Sequence, residues 1–108
     1  MAKRYKKEQN PFRAKSLVKV RECVLSHLQN DAVKVILFGS SATRNARRGS
    51  DIDVAVQPEG EWKSLSFLLL KEKLSELPIP YTVDLVNLNE VDERFRQNII
   101  NEGIVWRE

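Results

Sequence analysis

The chain has 108 residues, one cysteine and a formal net charge of +3. That length excludes two independent cores, one cysteine excludes an internal disulfide and fits a reducing cytoplasm, and no apolar run approaches the ~20 residues that span a bilayer. The charge is too small to mark a nucleic-acid binder, and it is concentrated in residues 1–22, which hold eight Lys or Arg against two Glu.

Residues 1–9 are polar and basic. They read as a solvated tail, since no apolar stretch follows MAKRYKK to make it a secretory signal. The single domain is therefore expected at 10–108. Asn10-Pro11 reads as a helix start, with Asn as cap and Pro at the first helical position. Leu17, Val20, Val24 and Leu28 recur at helical spacing, with Phe12 a turn earlier, and the helix is expected to end near Asn30-Asp31. Arg13, Lys15, Lys19 and Arg21 are expected on its solvated face. Val33 to Phe38 is a short β-branched run, read as a buried strand that Gly39 ends. Ser40 to Asn45 reads as a short helix and Ala46 to Ser50 as a loop. Asp51 to Gln57 is the second strand, stopped by Pro58-Glu59-Gly60. Glu61 to Leu77 reads as a long helix with a broad apolar face, including Trp62, Leu65, Phe67, Leu69, Leu70 and Leu74. Tyr81 to Leu88 is the third strand. Asn89, with Asp92 three residues on, resembles a capping box for a last helix carrying Val91, Phe95 and Ile99, which Gly103 ends. Ile104 to Trp106 is a possible fourth strand. The order predicts an α/β (α+β) fold, a small mixed β-sheet flanked by helices.

The chemistry lies between Phe38 and Val56. Side chains alternate along a strand, so Asp51 and Asp53 point to one side, about 7 Å apart along the backbone. Two such carboxylates repel unless a cation lies between them, and hard oxygen ligands suit Mg²⁺ or Mn²⁺. Asp84 interrupts the otherwise apolar third strand. If that strand lies beside the second, the three carboxylates converge, as two-metal phosphoryl or nucleotidyl transfer requires. Gly39-Ser40 supplies the other half: glycine lets backbone approach an anion, and amides that follow can face phosphate oxygens. Arg44, Arg47 and Arg48 lie between turn and carboxylates and can add positive charge at a triphosphate. Ser50 reads as a turn or cap residue beside the same site. Cys23 and His27 are too few to hold a metal, and Trp62, Phe67, Phe95 and Trp106 read as core or interface.

Gly39-Ser40, then about ten residues, then Ser50-Asp51-Ile52-Asp53 opening a strand, then a lone Asp84 in a later strand, resembles the nucleotidyltransferases of the DNA polymerase β type. Within them the chain is similar to the minimal nucleotidyltransferases that act as antitoxins beside HEPN-domain partners. The resemblance implies a polymerase β-like fold with Gly39 and Ser40 on the β- and γ-phosphates of a nucleoside triphosphate. It implies two Mg²⁺ ions on Asp51 and Asp53, and Asp84 on the metal that activates the incoming hydroxyl. The nucleotide-binding set is then Gly39, Ser40, Arg44, Arg47 and Ser50. The reaction implied is transfer of AMP from ATP to a tyrosine of a HEPN-type toxin. The group's usual GSRARG becomes Gly39-Ser40-Ser41-Ala42-Thr43-Arg44 here.

Few elements follow Asp84, so the acceptor is expected to be small or presented by another chain; the broad apolar face at Phe67 to Leu70 is a candidate contact for a partner or a second copy. Two functions are therefore carried forward. One is a Mg²⁺-dependent nucleotidyltransferase modifying a partner protein. The other is a non-catalytic, nucleotide-binding antitoxin that neutralises its partner by binding alone. Neither involves a membrane, and nucleic acid is the minority expectation for the basic tail.

Overall fold

The computed structural model describes residues 11–43 and 51–108. Helix α1 (Pro11–His27) leads into strand β1 (Val33–Phe38), the one-turn helix α2 (Ser40–Thr43) and strand β2 (Ile52–Pro58). Helix α3 (Ser64–Ser75), strand β3 (Val83–Asn87), a 3-10 turn (Leu88–Glu90), helix α4 (Glu93–Glu102) and strand β4 (Ile104–Arg107) complete the chain. Every expected element among the described residues is present. The basic tail and the proposed Asn10 cap lie outside those residues.

The four strands form one sheet in the order β3-β2-β1-β4. β1 runs antiparallel to β2 and to β4, while β2 and β3 are parallel, so the sheet is mixed. The antiparallel pairing brings the end of β1 beside the start of β2, with Phe38 opposite Asp53. The parallel pairing needs a crossover, and α3 provides it.

Strand alternation sorts the core into two layers. Val33, Val35 and Leu37 of β1 and Ile52, Val54 and Val56 of β2 pack with Leu17, Val20 and Val24 of α1 and Leu70 and Leu74 of α3. Ile36 and Ala55 point the other way and pack with Leu88 of the 3-10 turn and Ile99 of α4. Asp53 shares the parity of Ala55 and so belongs to this second, thinly covered face.

Three local expectations are corrected. In α1, Phe12 is 76% exposed and Arg13 only 2% exposed, so Arg13 is not on the solvated face. The reason is spacing: 13, 17, 20, 24 and 28 form one helical stripe, and Phe12 falls beside it. In α3, Leu70 and Leu74 are buried, whereas Leu65, Leu68 and Leu69 are exposed, because one helix face meets the sheet and this one does not. The cap of α4 is Asp92, whose carboxylate accepts from the Phe95 amide at 2.9 Å. Asn89 instead donates its amide to Asn87 Oδ1 in the preceding turn. Gly103 does end α4, but with an ordinary negative φ. A Cβ there would strike Ile36 and the Ile99 carbonyl, so the close approach of the α4–β4 junction to β1 is what requires glycine.

Candidate active site

The site begins where β1 stops. Gly39 has φ +71°, a left-handed conformation that side chains rarely adopt. It also lies against Asp53: a Cβ built on Gly39 would run into the Asp53 carboxylate. The turn leads directly into α2, closed by the Ala42 amide donating to the Gly39 carbonyl at 3.1 Å. A backbone turn and a carboxylate are thereby packed together by the Phe38–Asp53 register.

The parallel register places Asp84 directly beside Asp53. Neighbours in a parallel pair share a face, so both carboxylates sit on the side that α4 covers only in part. Asp84 is exposed and Asp53 half-buried. Asp51, exposed, stands two residues upstream at the mouth of β2. Asp53 is pushed up to about 6, first by burial and then by the negative charges of Asp84 and Asp51; Arg13 opposes the shift. Carboxylates crowded in this way are stabilised in their charged form by a cation. Their hard oxygen donors fit Mg²⁺, which takes a few carboxylates along with water and phosphate oxygens. Among the described residues, no three acidic, His or Cys side chains are gathered about one point. The arrangement is a facing pair, Asp53 and Asp84, with Asp51 alongside.

Arg13 is the site residue that hydrophobic-pattern reading passes over. Its guanidinium donates to Ser41 Oγ at 2.6 Å and to the Asp51 carbonyl at 3.1 Å. It also stacks over the Tyr81 ring at 4.8 Å from the centroid. The signal was its place on the buried stripe of α1. Ser41, one of the departures from GSRARG, is buried and receives that guanidinium. Arg44, Arg47, Arg48 and Ser50, together with the side chain of Ser40, lie outside the described residues.

An aromatic pair borders the carboxylates. Phe95 of α4 meets Phe38 edge-on at 6.0 Å between centroids, and Phe38 is the strand partner of Asp53. The other candidates are structural. His27 Nε2 lies 3.0 Å from the Ser66 carbonyl and Nδ1 lies 3.0 Å from Lys73 Nζ, which ties α1 to α3. Burial raises the Cys23 thiol, which disfavours the reactive thiolate. A groove between α1 and β4, lined by Leu17, Val18, Arg21, Ile104 and Trp106, contains none of the carboxylates.

The family model described as "Polymerase beta, Nucleotidyltransferase" matches residues 22–107. A curated relative from Haemophilus influenzae, "Probable protein adenylyltransferase MntA", is 35% identical over 71 residues, covering 66% of this chain. The chain spans 62% of that relative's length. A solved minimal nucleotidyltransferase superposes with a TM-score of 0.68 at 33% identity, covering 83% of this chain and 92% of its own. A toxin–antitoxin structure with AMP-PNP superposes with a TM-score of 0.64 at 25% identity, covering 80% of this chain and 71% of its own.

Proposed function

The chain belongs to the polymerase β nucleotidyltransferase family, and we propose that it transfers AMP from ATP to a tyrosine hydroxyl of a HEPN-type toxin as the antitoxin of the pair. The observation that carries the proposal is the meeting of Asp53 and Asp84 across β2 and β3, with the Gly39 turn against Asp53. Resemblance to a chain named as a protein adenylyltransferase and to a toxin–antitoxin structure with AMP-PNP supports the choice of nucleotide and partner. Residues 10–108 form the catalytic unit and 1–9 a basic extension, and the unpaired Cys23 suits a cytoplasmic setting. No described helix is long and apolar enough to cross a membrane.

In this reading Gly39 and Ser40 present backbone to the β- and γ-phosphates, with Arg44, Arg47 and Ser50 beside them. Asp51, Asp53 and Asp84 would hold two Mg²⁺ ions, which supply positive charge at the triphosphate and at the attacking oxygen. Asp84, exposed on the open face, takes the proton of the acceptor hydroxyl. The hydroxyl oxygen bonds to the α-phosphorus, the bond from that phosphorus to the bridging oxygen breaks, and pyrophosphate leaves with its electron pair. The face left open by α4 admits an acceptor carried on another molecule.

The test is incubation with ATP labelled at the α-phosphate, Mg²⁺ and a co-encoded HEPN-type chain. Label should reach the partner and vanish in Asp51→Asn/Asp53→Asn. No label from the wild-type chain, with the double variant still neutralising the toxin, would refute transfer and leave neutralisation by binding alone.

A further inference from the structure

We propose that Arg13 is a positioning residue for nucleotidyl transfer, holding the three chain segments of the site in register from outside the stretch the family model matches. This rests on the nucleotidyltransferase reading above. The match begins at residue 22, so Arg13 belongs to the part of α1 that precedes it.

One guanidinium touches all three segments. Through Ser41 it holds α2, the helix that follows the Gly39 turn. Through the Asp51 carbonyl it holds the mouth of β2, two residues before Asp53. Through the Tyr81 ring it holds the chain three residues before Asp84.

The chemistry singles out arginine. A charge with 2% exposure persists only when it is paired, and a guanidinium stays charged at any working pH. One terminal nitrogen, Nη2, donates to both acceptors while the guanidinium plane lies on a ring; a lysine ammonium has donors enough but no plane to stack. Its positive charge also opposes the crowding of negative charge on Asp53. A residue that only filled the core would be a poor choice here, since packing alone is served better by an apolar side chain.

The full chain is compared as wild type, Arg13→Met, Arg13→Lys, Ser41→Ala and a control, Lys19→Met, on the exposed face of α1. Each is measured for MgATP affinity by calorimetry, for AMP transfer, and for its unfolding midpoint, with activity read well below that midpoint. Arg13→Met should lose about 10- to 100-fold in transfer or MgATP affinity, the range for residues that orient metal ligands. Arg13→Lys keeps the charge and should recover only part of this, Ser41→Ala should lose a smaller factor, and Lys19→Met should match wild type. A purely structural role would lower midpoints while folded protein binds and turns over normally. If Arg13→Met fails to fold, Arg13→Lys and Ser41→Ala decide: wild-type affinity and turnover in both overturn the proposal. A wild-type chain that binds MgATP but transfers nothing overturns the transferase reading instead, and Arg13 is then judged on affinity alone. Failure of the wild-type chain to bind MgATP overturns both.

Discussion

Gly39→Ala tests the turn at the centre of the site in two separable ways. At φ +71° an alanine costs about 1–2 kcal/mol in backbone strain. Its Cβ would also displace the Asp53 carboxylate, whose departure from a relaxed rotamer adds about 0.5–1.5 kcal/mol. The sum is about 1.5–3.5 kcal/mol, which for a domain of this size lowers the midpoint by roughly 6–28 °C. In an Asp53→Ala background the carboxylate is gone and only the strain of about 1–2 kcal/mol remains. Urea unfolding of wild type, both single variants and the double variant isolates the difference, a coupling of about 0.5–1.5 kcal/mol. Transfer by Gly39→Ala should fall by about 100-fold, because a displaced carboxylate misplaces the reacting groups. A coupling below about 0.3 kcal/mol would show that Gly39 and Asp53 are not packed together as described.

The remaining predictions use other residues. Asp53 has a folded pKa of about 6 against an ordinary value of 3.8, so between those values the folded chain binds more protons than the unfolded one. Its contribution is favourable below pH 3.8 and is lost as pH rises through about 6. In EDTA, the stability of wild type minus that of Asp53→Asn should therefore decline across that window, and a flat difference would contradict the shift. Leu70→Ala should cost about 2–5 kcal/mol in urea unfolding because Leu70 is fully buried. Leu68→Ala, on the exposed side of α3, should stay within about 0.5 kcal/mol of wild type by the same measurement. Asp92→Ala removes the α4 cap and should cost about 0.5–2 kcal/mol, with faster amide exchange at Phe95.

The parts of the site legible in the sequence were those set by alternation and by chain-breaking residues. Alternation places Asp53 on the side opposite Ile52 and Val54, while Asp51, expected to open the strand, stands one residue before it. Asp84 was legible for the complementary reason, a charge inside an apolar run. What no pattern gave was the pairing of β2 with β3, which depends on contacts far apart in sequence; alternation then aligned Asp53 and Asp84. Arg13 is absent from the apolar pattern because it is charged, although its spacing from Leu17 marks it as inward-facing. Phe12 is the converse case, an aromatic beside the stripe in sequence that the helix turns outward. In α3 the run Phe67-Leu68-Leu69-Leu70 fixes a helix but not its rotation, since apolar residues fall all around it, and only the sheet beneath selects Leu70 and Leu74.

The crossover through α3 has a consequence for which face of the sheet stays open beside Asp53 and Asp84. Connections between parallel strands are right-handed in nearly all proteins, a preference inherited from L-amino acids. In this chain α3 lies on the face of Val54 and Leu85, away from Asp53 and Asp84. A connection of the opposite hand would have roofed the two aspartates and sealed them from any large substrate. In the proposed reaction, the accessibility of Asp53 and Asp84 to another macromolecule is thus set by chain chirality, before a single contact with that macromolecule is specified.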